Sequence, residues 1–257
     1  MKKSKVFLGY LKEKTNRILK NAKKYSIANN LLIGFLIICV AFACLYPFRS
    51  DGDIQVDKVE DKVIRSGISN DGVSLMFNVY SDKKSVERIL EILSAHNAKA
   101  TFFIGGSWAD DNIDCLKKIV EGGHELGNHG YFHKNHPLLT KAQNQKEMVL
   151  CNEFVEKSVG VKIALFAPPS GAYDEQTVVI AESLGMKTIM WSKDTIDWRD
   201  KNSALVYTRA TKNVKGGEFV LMHPTPHTAD ALPDILNYYE SCNLRAITVG
   251  ANLREGG

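Results

Sequence analysis

From Val73 onward, short runs rich in β-branched and aromatic residues alternate with longer stretches whose apolar positions recur at helical spacing. The short runs are Val73 to Val79, Lys99 to Ile104, Glu125 to His129, Lys162 to Ala167, Lys187 to Trp191, Glu218 to Met222 and Arg245 to Val249. Each predicts a strand. Between the first two, Ser85 to His96 places Val86, Ile89, Leu90 and Leu93 on one face, as an amphipathic helix packed on a sheet would. Strand then helix, repeated, predicts a parallel sheet. About seven strands in roughly 180 residues favour a closed or nearly closed, distorted β/α barrel over an open doubly wound sheet. The first strand also lacks the glycine-rich phosphate loop of a nucleotide-binding Rossmann domain.

Ahead of this domain, expected to span residues 73–253, the pattern differs. Leu31 to Tyr46 carries no charge, and counted from Ile27 the apolar segment reaches about 20 residues, enough to cross a bilayer core as a helix. Residues 27–48 are therefore expected to form a transmembrane signal-anchor. The alternative is a cleaved signal peptide, for which Ala41-Phe42-Ala43 supplies a small-residue cleavage site. Residues 49–72 are polar and punctuated by Asp-Gly and Asn-Asp-Gly, which reads as a linker able to add a short strand at the domain edge.

Charge sharpens the topology. Residues 1–24 hold nine of the 33 Lys and Arg but only one of the 29 Asp and Glu, so the overall +4 is a tail of +8 followed by a remainder of −4. A basic tail over residues 1–26 predicts a cytoplasmic N-terminus and an extracytoplasmic domain at the cell membrane. The remainder gives no argument for nucleic-acid binding. Cys39 and Cys44 fall in the apolar segment. The widely spaced Cys115, Cys151 and Cys242 suggest neither a disulfide framework nor a cysteine metal site, and are expected to be buried thiols on helices.

Candidate chemistry gathers at the predicted strand ends, where β/α barrels build active sites. Asn78 ends the first strand, His129 the third, Ala167-Pro168-Pro169 the fourth; Asp194 and Asp197 follow the fifth, and His223 ends the sixth. His129 and His133 stand four residues apart, so both imidazoles can reach one divalent cation from a helical or tightly turned segment, although such pairs also arise by chance on helices.

In this order, the segments from about Val73 to Leu253 resemble the polysaccharide deacetylases, the NodB-homology domain of carbohydrate esterase family 4. The carrying stretches are Ala100-Thr101-Phe102-Phe103-Ile104-Gly105, Gly127-Asn128-His129-Gly130-Tyr131-Phe132-His133, Asp194-Thr195-Ile196-Asp197-Trp198 and Leu221-Met222-His223. The resemblance implies that His129 and His133 are ligands of a divalent metal, usually zinc. It also implies that His223 is a general acid oriented by Asp197, and that Trp198, Pro169 and Gly171 contact substrate. The substrate class implied is an N-acetylated polysaccharide such as peptidoglycan, and the reaction is metal-dependent removal of its N-acetyl groups.

Two motifs depart from the family. Where it has Thr-Phe-Asp-Asp-Gly-Pro, this chain has Met76-Phe77-Asn78-Val79-Tyr80-Ser81, so the catalytic base falls on Asn78 and the third metal ligand on Val79. An amide accepts no proton from water and an isopropyl group ligates nothing. Ala167 replaces the Arg that would support the base, and losing both avoids an unpaired buried charge. Asp82, Asp194, His136 and His227 lie close enough in sequence to supply a substitute ligand or proton acceptor. The alternative reading is a non-catalytic carbohydrate-binding or regulatory homologue that keeps the barrel but not the base.

Overall fold

A computed structural model describes residues 59–254, with Asn16 and Lys20 alone ahead of them. The predicted tail, membrane segment and first part of the linker lie outside the described residues. Among those described, no helix is long and apolar enough to cross a membrane.

The order is β1 (Val63–Ile64), β2 (Gly72–Val79), α1 (Lys83–Ala95), β3 (Thr101–Ile104), α2 (Gly106–Asp111), α3 (Ile113–Glu121) and β4 (Glu125–Asn128). Then follow α4 (Lys141–Val159), β5 (Leu165–Phe166), α5 (Glu175–Ser183), β6 (Lys187–Ile189) and β7 (Lys193–Asp194). The chain continues through α6 (Asp197–Asp200), α7 (Ser203–Thr211), β8 (Phe219–Met222), α8 (Pro226–Ser241), β9 (Arg245–Ala246) and α9 (Val249–Asn252). The strands form one sheet in the order β1-β6-β5-β4-β3-β2-β8-β7, with β9 also on β2, and every named pair is parallel. An antiparallel bridge from Ser66 to Glu218 ties the segment after β1 to the foot of β8. This draws one sheet edge toward the other and curls the sheet into a distorted barrel.

All seven predicted strands are present, most of them shorter at one end. Two more come from places the pattern did not mark. The segment read as a linker contributes β1, whose two residues pair with β6, and β7 is a two-residue polar strand beside β8. The predicted final strand stops at Ala246, and Val249 begins α9 behind the side-chain cap of Thr248.

The longest strand is β2, paired with β3, β8 and β9 and buried along all eight residues. Its period of two divides the core. Val73, Leu75, Phe77 and Val79 pack outward into the large cluster shared with Ile89, Leu93, Leu116, Ile119 and Leu232 of the surrounding helices. Met76 points inward, with Phe103, Leu165, Ala167, Ile189 and Phe219. The same alternation sends Asn78 inward and Val79 outward, which decides much of the site.

Helix ends are fixed by local chemistry. Asp82 caps α1 by accepting from the Ser85 backbone N–H and hydroxyl, and Thr140 with Gln143 forms a capping box on α4. Cys115 and Cys151 are buried on α3 and α4 as expected. Cys242 is exposed, because it sits at the C-terminal cap of α8, beyond the helix's apolar face.

Candidate functional site

The C-terminal ends of β2, β4, β6 and β8, with the loop after β5, open onto a cavity of about 330 Å³. That volume is in the range of small-ligand sites. Strand ends place the chemistry. Asn78 enters from β2, His129 directly after β4, Gly171 from the turn after β5, Trp191 after β6, and His223 after β8.

His129 is fully buried, and its Nδ1–H donates to the Ala167 carbonyl at 2.7 Å. This bond fixes the tautomer and leaves Nε2 as a lone-pair acceptor with no partner among the described residues. Burial, reinforced by the nearby His133, pushes His129 down to about 3, so the ring is neutral in the folded protein. Gly130, at φ 72°, turns the chain immediately afterwards; a Cβ there would press on His136 and Glu147. The Glu147 carboxylate accepts from the N–H groups of Tyr131 and Phe132 and holds the loop that carries His133. His133 itself adopts φ 53°, its ring 5.0 Å from that of His129. Burial lowers its pKa as well.

The opposite wall is built around Asp197, which is 1% exposed. One oxygen accepts from His223 Nδ1–H at 2.7 Å; the other accepts from the His223 backbone N–H at 2.6 Å and the Thr228 hydroxyl at 2.7 Å. Burial raises this carboxyl's pKa, but the hydrogen bonds and charge of His223, with Thr228, outweigh it and hold the carboxyl below the usual carboxylate range. The neighbouring Ile196 has φ 52°, costly for a β-branched residue, and its N–H is held by the Asp194 side chain at 2.8 Å. That turn aims Asp197 at His223.

The structure brings His129, His133, Trp198, Gly171 and His223 to one cavity, with Asp197 directly behind His223. Pro169 does not join them. It is buried with its ring close to Gly130 and is not part of the cavity wall. Each sequence candidate for a substitute ligand already has a hydrogen-bond partner, and of the four only Asp194 also lines the cavity. Asp82 caps α1, His136 bonds Asn144, His227 donates from Nε2 to the Asp197 carbonyl at 2.6 Å, and Asp194 holds the Ile196 N–H. The cavity also contains two aromatics that motif spacing did not single out. Tyr80 occupies the family's glycine position, with its ring 4.1 Å from that of His133, and Trp191 lies just beyond β6. Their strand-end positions were the available signal.

His129 and His133 therefore face the cavity without a carboxylate from the end of β2 beside them. Val79, at the ligand position, lies in the outer core at 0% exposure. Among the described residues no group of three His, Cys, Asp or Glu side chains is placed to hold a metal ion. The donor set does not fit a resident divalent cation held by three protein ligands.

A curled parallel β/α barrel with a histidine pair and a His–Asp dyad at its C-terminal mouth defines a carbohydrate-esterase-type domain. The chain belongs to the polysaccharide deacetylase family, carbohydrate esterase family 4: a family model described as polysaccharide deacetylase matches residues 67–189. The crystal structure of a CE4 family pseudoenzyme from Bacillus anthracis superposes with TM-score 0.73 at 34% identity, covering 75% of this chain and 69% of that one. A mutant of that pseudoenzyme with restored enzymatic activity matches with TM-score 0.73 at 33% identity, covering 75% and 71%. YlxY of Bacillus subtilis is 38% identical over 164 residues, 64% of this chain and 51% of that protein. The peptidoglycan-N-acetylglucosamine deacetylase PgdA of Listeria monocytogenes is 32% identical over 169 residues, 65% and 35%. The chain thus spans about half the length of the first relative and about a third of the second.

A pH dependence arises at the other end of β4. Burial, with the charge of Lys99, pushes His124 down to about 4, and its Nδ1 accepts from the Ala100 N–H at 3.3 Å, which requires an unprotonated nitrogen. An unfolded imidazole titrates near 6.5. As pH falls below that value the unfolded chain takes up the proton first, so stability present above pH 6.5 is lost at about 1.4 kcal/mol per pH unit down to the folded value. Denaturant unfolding at pH 7, 6 and 5 should show this slope, and His124→Gln should reduce it by about one proton's worth. An unchanged slope in that variant would contradict the assignment.

Proposed function

We propose that this protein is a cell-wall glycan-binding member of its family that holds an amino-sugar polysaccharide such as peptidoglycan in the barrel groove without hydrolysing it. One observation carries the reading. At the position of the catalytic base stands the amide of Asn78, 3% exposed, which takes no proton from water. The outward-facing Val79 and the Tyr80 ring packed on His133 support it, as does the likeness to a pseudoenzyme.

The His223–Asp197 dyad favours a second reading, zinc-dependent hydrolysis of N-acetyl groups with His223 protonating the leaving amine. That argument weakens once the role of Asp197 in the fold is counted. Its carboxylate satisfies three donors on α8 and the β8 loop, so retaining the dyad needs no catalysis to explain it.

Membrane anchoring through residues 27–48, with the domain outside the cytoplasm, belongs to the same proposal and rests on the uncharged run behind a basic tail. Retention of the full chain on insoluble peptidoglycan tests glycan binding. Trp198, 55% exposed at the rim, offers a stacking face, and Trp198→Ala should weaken retention about tenfold. Absence of retention by the unaltered chain would overturn the proposal.

A further inference from the structure

The groove has a polarity that an N-acetyl group matches only in part. Among the described residues no Lys or Arg lines it, whereas Asp194 does, and Asp197 stands behind His223. Two buried acceptors at its base, Asn78 Oδ1 and His129 Nε2, have no donor among the described residues. Each leaves an uncompensated cost unless a ligand supplies a donor. Around the mouth, Tyr80 is 40% and Trp198 55% exposed, and their π faces attract cations.

An acetamide brings a single N–H donor alongside a methyl group and a carbonyl oxygen, so it satisfies at most one of the two unpartnered acceptors. The usual answer, a cation polarising that oxygen, has an incomplete donor set here. A free amine in its ammonium form instead brings three N–H donors and a positive charge. We infer that the groove selects the de-N-acetylated amino sugar, a glucosamine unit bearing its free amine, over the N-acetylated unit. The ammonium lies against the aromatic faces and donates to Asn78 Oδ1 and His129 Nε2, with Asp194 supplying negative charge nearby. An N-deacetylation carried out by another enzyme must supply such a ligand, so this chain would read the product of the reaction its fold is built around. The inference rests on the glycan-binding reading above.

Calorimetric titration of the full chain with glucosamine oligosaccharides and N-acetylglucosamine oligosaccharides of equal length, at one ionic strength, tests it. The expected result is at least about tenfold tighter binding of the amine form, with Asn78→Leu and Trp198→Ala each removing most of that preference. Equal or tighter binding of the N-acetylated form would overturn the inference and leave glycan binding standing. Binding of neither would overturn both. An amine preference unchanged in both variants would assign the attraction to the acidic surface at large and would also overturn the inference.

Discussion

The triple variant Asn78→Asp, Val79→Asp, Tyr80→Gly, supplied with zinc, should release acetate from N-acetylated oligosaccharides. Its rate should exceed that of the parent chain by on the order of 10² to 10⁴, the usual contribution of a positioned general base. Strand parity explains why three changes are needed. Asn78 faces the cavity, so Asp at that position is correctly aimed. Val79 faces outward among the helices, and Asp there alone would bury an unpaired charge, costing several kcal/mol. Glycine at position 80 removes the ring that packs on His133 and frees the strand end to turn, allowing the second carboxylate to join His129 and His133. The single Val79→Asp variant should therefore be destabilised without gaining metal. The mutant of the Bacillus anthracis neighbour with restored activity is a precedent for recovery in this fold. A folded, zinc-loaded triple variant that releases no acetate would contradict the account of what has been lost.

Asp197→Ala should lower stability by about 3–5 kcal/mol, because it removes one partner of a buried, hydrogen-bonded pair. Three donors lose their acceptor at once: the His223 N–H, its Nδ1–H and the Thr228 hydroxyl. For a domain of this size the midpoint should fall by roughly 10 °C, at about 2–4 °C per kcal/mol. The depressed pKa of Asp197 gives a linked sign: its contribution is present above the unfolded carboxyl value near 3.9 and is lost as pH falls toward the folded value. Thermal unfolding of the parent and of Asp197→Ala at pH 7 measures the effect. A change below about 1 kcal/mol would restore the argument that the dyad is kept for catalysis.

The long, buried strands were legible because continuous apolar runs ending in polar residues have few other readings. The imidazoles could be placed because strand ends in a parallel barrel converge. Two-residue strands such as β1 and β7 leave no periodicity to detect, since tertiary pairing alone defines them. Three of the four substitute-ligand candidates lie away from the cavity lining for a different reason. Proximity in sequence says nothing about competing partners, and Asp82 is taken up by the cap of the helix it precedes. Likewise, aligning Val79 with a ligand did not reveal its direction; only the alternation along β2, seen against both core layers, did so. Pro169 shows the same limit, being in the right loop but not in the cavity wall.

The most direct test of binding without turnover is acetate release by the unaltered full chain from N-acetylglucosamine oligosaccharides and peptidoglycan fragments, with zinc, with cobalt and with no added metal. The account predicts release indistinguishable from that of His223→Ala under every condition. Acetate release that depends on added metal and disappears in His223→Ala would contradict it.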